Sequence, residues 1–342
     1  MDRQYYLDLA KAGVRMPIGT HLVLHEQPDV GGVLLDGRKL GQVILQAAAR
    51  FKVPVALPLM DLALEKEALL AALGVEDDAS MYHFTELPKA ELRFRLTRRM
   101  SATCDALRYV AAHSQLLPVG MTIGPFSLMT KLVQDPITPV FLAGTGASAE
   151  DEPDIALIEK LLELSCATIQ AYVAAQVEAG AKAVIVCEPA ANKVYFSPNQ
   201  LASSYEVFDR YVMRFNQRIA EQLRGQGADL IFHDCGELVE GIVRRFATLD
   251  PAILSLGSSR ALWEDAALVP ETTVLYGNLP TKQFYSDELL PLAKVRRLSD
   301  DLVRRMHDTG HPFILGSECD VLSVPGQETK IMAKVDEFLR AP

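Results

Sequence analysis

The sequence alternates between short apolar runs and longer amphipathic stretches. Eight apolar runs bounded by turn residues predict buried strands at 17–24, 53–59, 117–123, 183–188, 229–234, 252–257, 272–277 and 312–316. The stretches between them are long enough to be helices, which we predict at 37–51, 154–179, 199–224, 238–246, 287–309 and 327–339. Strands that alternate with helices in this way run parallel to one another.

The eight strand–helix units predict a (β/α)₈ TIM barrel. We expect one domain over residues 1–342, with long insertions after the second strand (65–115) and the third strand (126–153). A doubly wound open sheet is the alternative architecture. The barrel is favoured because its strand C-termini meet on one face, and the chemically suggestive residues all fall at or just past predicted strand ends: His25, Asp61, Glu188, His233, Cys235 and Cys319.

Composition narrows the class of protein. The chain has 342 residues, of which 49% are hydrophobic, so it can fill a large core. Its 34 Lys and Arg against 44 Asp and Glu give a net charge of −10, which disfavours binding to nucleic acid or to an anionic membrane. The N-terminus lacks the apolar run of a signal peptide, and no apolar run is long enough to span a bilayer. We therefore expect a cytoplasmic protein.

The five cysteines are odd in number and far apart, at positions 104, 166, 187, 235 and 319. A large chain needs no disulfide staples, so reduced thiols are expected. His233 and Cys235 lie two residues apart on a predicted strand, and their side chains therefore point to the same side. Cys319 follows the last predicted strand and can complete a zinc site with one open position, which is typical of catalytic zinc. The alternative interpretation is that all three are buried packing residues.

Other cofactor motifs are missing from the sequence. The glycines of Gly144-Thr145-Gly146 follow a loop and not a strand, so they do not form a dinucleotide fingerprint. The Asp-x-His-x-x-Gly signature that holds a corrinoid is absent as well.

Several short motifs, in order along the chain, resemble one family. They are Gly124-Pro125-Phe126-Ser127, Glu188-Pro189 followed by Ser197-Pro198, His233-x-Cys235-Gly236, Gly277-Asn278-Leu279-Pro280 and Gly316-x-x-Cys319. Together they resemble the uroporphyrinogen decarboxylase superfamily from about residue 54 to the C-terminus. The His-x-Cys pair with the distant cysteine is similar to its zinc-containing, corrinoid-linked methyltransferase branch.

The resemblance implies a TIM barrel that holds zinc on His233, Cys235 and Cys319. It also implies that a separate corrinoid protein presents its cobalt at the barrel mouth. Members of the branch move a methyl group from cobalt to a thiol such as coenzyme M, or from a methyl ether or methylamine to cobalt. The sequence leaves the direction of transfer open.

This chain departs from the family pattern at three places. The decarboxylases have an arginine-rich motif near the N-terminus, whereas no arginine lies between Arg15 and Arg38. Gly257 and Pro280 stand where the superfamily commonly has aspartate. These differences disfavour a tetracarboxylate substrate and indicate a remodelled pocket.

The remaining site residues are assigned from their positions at strand ends. Glu188 and Asp61 are the candidate catalytic carboxylates, with Glu188 expected to face inward and Cys187 away from the barrel axis. His25, Tyr195 and Asn278 are candidate substrate contacts. For the carboxylates, a salt bridge or a solvated position at the rim is the alternative interpretation.

Three functions remain open at this point. The first is a zinc methyltransferase that works with a corrinoid protein, and the second is a tetrapyrrole decarboxylase without metal. The third is a non-catalytic barrel that binds a corrinoid protein.

Overall fold

The computed structural model describes residues 3–75 and 78–340, and its centre is a set of eight parallel strands. These are β1 (Arg15–Ile18), β2 (Val55–Ala56), β3 (Leu117–Ile123), β4 (Ala183–Cys187), β5 (Asp229–Asp234), β6 (Ile253–Leu256), β7 (Val274–Leu279) and β8 (Phe313–Asp320). Neighbours follow the order β1-β8-β7-β6-β5-β4-β3-β2, and every pairing is parallel. The predicted TIM-barrel-like α/β fold is confirmed.

Helices connect the strands. They are α1 (Gln4–Lys11), α2 (Thr20–His25), α3 (Val30–Leu34), α4 (Gly37–Phe51), α5 (Leu64–Ala72), α6 (Arg98–His113), α7 (Pro125–Thr130), α8 (Ile137–Gly144), α9 (Pro153–Glu178), α10 (Pro198–Ser203), α11 (Glu206–Phe208), α12 (Arg214–Gly225), α13 (Glu240–Ala247), α14 (Leu262–Asp265), α15 (Leu292–Thr309) and α16 (Glu328–Leu339). A π-helical turn at Asp209–Met213 joins α11 to α12, and a 3₁₀ turn at Thr281–Gln283 follows β7. Within the described parts of the chain, no helix is both long and apolar enough to cross a bilayer.

Two predicted elements change conformation partway along the predicted range. The strand predicted at 17–24 ends at Ile18, and Thr20–His25 forms α2 instead. Leu22, Val23 and Leu24 are all buried, so the run lacks the polar positions that distinguish a helix from a strand. The helix predicted at 199–224 is interrupted because Ser204 is extended, with φ −158° and ψ 146°.

The register between strands determines which side chains face the barrel interior. Cys187, His233, Ser255 and Tyr276 pair with one another across β4, β5, β6 and β7, so they lie at one level and point to the same side. Gly120 lies on the adjacent strand β3, and a Cβ atom on it would lie 2.5 Å from Oε1 of Gln176 in α9. The opposite side of β4 shares this direction and therefore faces the helices. His233 therefore faces inward.

Tyr276 links three strands inside the barrel. Its hydroxyl donates to the carbonyl oxygen of Met16 on β1 at 2.6 Å. Its ring lies directly over Gly316 of β8, where an added Cβ atom would be 2.2 Å from Cζ of the ring. Glycine at position 316 therefore leaves the space that the tyrosine ring occupies.

We predict that Gly316→Ala lowers the free energy of unfolding by about 1–3 kcal/mol, because the added methyl group overlaps the buried Tyr276 ring. Urea denaturation followed by circular dichroism measures the change. Gly225→Ala in α12 is the matched control, since its methyl group meets no atom within 4 Å. Equal stability of the two variants would show that the ring does not need this space.

Candidate metal centre

Three potential ligands converge at the C-terminal ends of two strands. His233 is on β5, Cys235 directly follows it, and Cys319 is near the end of β8. One ligand atom from each residue lies within 4.8 Å of the other two. Because β8 continues past the predicted end at residue 316, Cys319 lies within the strand, in the part where the register with β1 shifts between residues 316 and 320.

The imidazole of His233 is suited to bind a metal ion. It is buried, and its Nδ1 atom lies 2.8 Å from Oγ of Ser255 on the adjacent strand β6. Its Nε2 atom is buried and has no hydrogen-bond partner among the described residues. When Nδ1 carries the proton, it donates a hydrogen bond to the Ser255 oxygen, and the Nε2 lone pair is free for a metal. An unpartnered buried nitrogen beside two thiols fits a zinc ion.

The two thiols share their protons unequally. The hydrogen bond from Cys319 lowers the pKa of Cys235 against the opposing effect of burial, and His233 and Lys282 lower it further. The pKa of Cys319 is raised because it keeps the shared proton and is itself desolvated. Cys319 also contacts the thioether of Met60, with 3.4 Å between the two sulfur atoms. One thiolate is thus already favoured, and zinc would displace the remaining proton.

Lys282 is a charged neighbour of the site that the sequence interpretation missed. Its Nζ atom donates to Sγ of Cys235 at 3.5 Å. Burial alone would lower the pKa of Lys282, but the charges of Cys235, Cys319 and Glu318 outweigh it and raise the pKa. The available signal was its position, two residues after the Pro280 that replaces the usual family residue.

Glu188 faces the helices and not the barrel interior. Its carboxylate accepts hydrogen bonds from the backbone N–H of Ser127 at 2.5 Å and from Nδ2 of Asn216 at 2.7 Å. Burial raises its pKa, and these two donors oppose the shift. The expected inward orientation of Glu188 is wrong, as is the outward one of Cys187, because Cys187 pairs with His233 and shares its side. The carboxylate anchors the start of α7 to α12.

Asp61 is next to Met60, which contacts Cys319, but its carboxylate is already paired. It follows Met60 in the segment after β2, and its carboxylate forms an ion pair with Arg99 of α6. Its other oxygen accepts from the backbone N–H of Ala63 at 3.2 Å. The catalytic role assigned to Asp61 stays a prediction.

A histidine–aspartate pair lies next to Cys319. His21 on α2 is bonded through Nδ1 to the carboxylate of Asp320, and the other carboxylate oxygen is buried without a partner among the described residues. Burial would lower the pKa of His21, but the hydrogen bond and charge of Asp320, helped by Asp61, raise it. The interpretation of His21 as a strand residue is wrong, since it is on a helix beside a charged partner.

The three candidate substrate contacts lie apart from one another. His25 is exposed at the end of α2, with its ring centroid 6.0 Å from that of His21. Tyr195 packs edge-on against Phe126 at 6.0 Å between ring centroids. Asn278 donates through Nδ2 to the carbonyl oxygens of Gly257 and Arg260, both at 2.8 Å, and so holds the loop after β6. Their roles in substrate binding stay predictions.

Comparison with known proteins adds two findings. A family model described as uroporphyrinogen decarboxylase (URO-D) matches residues 24–335. The structure is similar to that of a methyltransferase from Methanosarcina mazei, with a TM-score of 0.66 and 17% sequence identity over 95% of this chain and 92% of that chain. At this identity the likeness shows a shared fold. A search of curated proteins found no match.

We predict that Glu188→Ala lowers the free energy of unfolding by about 2–4 kcal/mol, because it leaves the Ser127 N–H buried without its acceptor and removes one of the two acceptors of the Asn216 amide. Chemical denaturation gives the value. Glu237→Ala is the control, since its carboxylate is 60% exposed in a surface ion pair, and the change should stay below about 1 kcal/mol. A Glu188 variant as stable as this control would contradict the anchoring role.

We predict that Asp320→Asn lowers the pKa of His21, because the carboxylate that outweighs burial is removed. The ring resonances of His21, followed by NMR as pH changes, report this pKa directly. Asp308→Asn removes an exposed carboxylate beside His307 and should leave the His21 curve in place. An unchanged curve in Asp320→Asn would show that the pair does not form.

Proposed function

The chain belongs to the uroporphyrinogen decarboxylase (URO-D) family, and we propose that it is a zinc-dependent methyltransferase. In this proposal it moves a methyl group between a small substrate and the cobalt of a separate corrinoid protein. The observation that carries the proposal is the convergence of His233, Cys235 and Cys319, whose ligand atoms lie within 4.8 Å of one another. A tetrapyrrole decarboxylase that works without metal has no use for this arrangement.

The donor set suits zinc and a particular kind of reaction. Two thiolates and one neutral imidazole balance the charge of Zn²⁺ and leave one tetrahedral position open. When bound there, zinc supplies a mild Lewis acid that suits a sulfur or oxygen atom of the substrate. A substrate thiol would thereby accept a methyl group, and a methyl ether or methylamine would release one.

The protein's own residues orient the ligands and manage charge. Ser255 fixes the ring of His233, which is the usual task of a residue behind a metal-bound histidine. The His21–Asp320 pair, one residue from Cys319, is placed to move the proton that a substrate thiol or alcohol loses or gains. His25, Asp61, Tyr195 and Asn278 are proposed to line the substrate pocket, whereas Glu188 supports it through α7.

The corrinoid is proposed to come from a partner, because the chain has no corrinoid-binding signature. The chain shares its fold with a protein described as a methyltransferase, which supports methyl transfer as the class of reaction. The decarboxylase alternative is weakened further by Arg15, the last arginine before Arg38, whose guanidinium donates to the carbonyl oxygen of Phe338 at 2.9 Å.

Zinc content is the first test. We expect about one zinc per chain in reduced protein, and its loss in Cys235→Ala and Cys319→Ala, because each change removes one of three ligands. Cys166→Ala is the matched control, since this buried thiol lies in α9 and should leave the zinc content unchanged. Wild-type protein that binds no zinc when purified and refilled under reducing conditions would overturn the proposal.

As part of this test, the same zinc-loaded protein is then assayed for methyl transfer to and from cobalamin. Cob(I)alamin with methyl ethers or methylamines should give the methylcobalamin spectrum, or methylcobalamin with thiols should lose it. The cysteine variants should be inactive. Zinc-loaded protein that binds a corrinoid without any transfer would indicate the accessory role, and turnover of uroporphyrinogen by zinc-free protein would indicate the decarboxylase.

A further inference from the structure

We propose that Lys282 is a positioning residue, which places one positive charge beside the candidate metal centre and makes its open position select an anionic ligand over a neutral one. The inference rests on the proposed function, since it takes the ion held by His233, Cys235 and Cys319 to be zinc.

Lys282 is held in place by contacts on both sides. It is in the 3₁₀ turn Thr281–Gln283 after β7, where its backbone N–H donates to Oε1 of Glu318 at 3.4 Å. The hydroxyl of the preceding Thr281 donates to the carbonyl oxygen of Cys319 at 3.3 Å. The turn is thus attached to β8, while the side chain reaches Sγ of Cys235 at the end of β5. Lys282 therefore connects β8, through the backbone of its turn, with the thiol of Cys235, which follows β5.

The charge of the filled site explains why a cation is useful there. Zinc with two thiolates and an imidazole is neutral, so a neutral fourth ligand adds no charge, whereas an anion leaves one uncompensated negative charge in a half-buried place. Lys282 offsets that charge. Glu318 is a nearby carboxylate, but the Ser258 hydroxyl and the Lys282 N–H both donate to it, which stabilises its negative charge locally.

With a thiol acceptor or an ether donor, methyl transfer would place an anion at this position. When a thiolate takes a methyl group from methylcobalt(III), an electron pair of the sulfur forms the new S–C bond. The electron pair of the broken Co–C bond stays on cobalt, which becomes cobalt(I). The thiol proton has gone to solvent before this step. In the reverse sense, cobalt(I) attacks the methyl carbon of an ether and the oxygen leaves with the C–O bond pair. The ammonium group of Lys282 stabilises the sulfur or oxygen anion in each case.

The hydrogen bond to Cys235 has a second effect on the metal. An N–H donor draws electron density from the thiolate sulfur, so the sulfur donates less to the ion. This effect is visible in the absorption of a cobalt(II)-substituted site, because the sulfur-to-metal transition requires more energy when the sulfur is hydrogen-bonded.

The test compares Lys282→Met with Lys282→Arg in cobalt(II)-substituted full-length protein. Azide serves as the anionic probe and imidazole as the neutral probe, and both are titrated by visible absorption. In Lys282→Met we expect azide to bind about tenfold more weakly, as for loss of one partly solvated charge contact, with imidazole affinity unchanged. The sulfur-to-cobalt band should move to lower energy. Lys282→Arg should restore the preference for azide.

Control variants separate this inference from its premise. Lys330→Met, in α16, removes an ammonium group from a surface ion pair with Asp287 and should leave the affinity for both probes unchanged. If Lys282→Met fails to retain cobalt, Lys282→Gln replaces it. If azide and imidazole each bind with the same affinity to the wild type and to the Lys282 variants, all with one bound metal, the role of Lys282 is overturned. The methyltransferase proposal would still stand. Failure of wild-type protein to bind any metal would overturn the proposed function itself.

Discussion

The strict alternation of side chains along parallel strands is the constraint on which the candidate site depends. On β5 it directs His233 to the interior and Asp234 to the other side, and Cys235 directly follows the strand, two residues after His233. Because β4, β5 and β6 pair without a register shift, Cys187 and Ser255 share the side of His233. A slip of one residue would replace Ser255 behind the imidazole with a leucine and direct His233 to the helices. The ladder therefore fixes the direction of the imidazole and of the Ser255 hydroxyl behind it, whereas Cys319 lies where the register of β8 with β1 shifts.

The same alternation separates two kinds of buried carboxylate at the strand ends. Glu188 and Asp234 both point away from the interior, and both are used to hold the backbone. Glu188 accepts the N–H of Ser127 at the start of α7, and Asp234 accepts the N–H of Gly236 at 2.7 Å in the loop after β5. Their burial raises both pKa values. The raised pKa of these loop-anchoring carboxylates thus comes from burial and does not by itself identify a catalytic acid.

The sequence predicted what depends on local spacing and strand order. The barrel followed from eight apolar runs, and the pairing of His233 with Cys235 followed from their separation by two residues. It did not predict that the Cys187 side chain points into the barrel, because this direction depends on the register of β4 with β5. The helix at His21 was hidden by three consecutive buried apolar residues. Lys282 and the Asp61–Arg99 ion pair depend on contacts 47 and 38 residues apart in sequence, which no local pattern encodes.

Closure of the barrel and completion of the site depend on the same region. The strand order leaves β1 and β2 at the two ends of the ladder, so side chains connect the segments that follow them. Thr20, at the start of α2, donates to the carbonyl oxygen of Leu57 at 2.8 Å, and Met60 contacts Cys319. His21 reaches Asp320 from the same helix. Because Cys319 is a candidate ligand, a metal bound to it would strengthen β8 at the point where these contacts join β1 and β2. Metal binding and closure of the barrel mouth would then be coupled through one strand end.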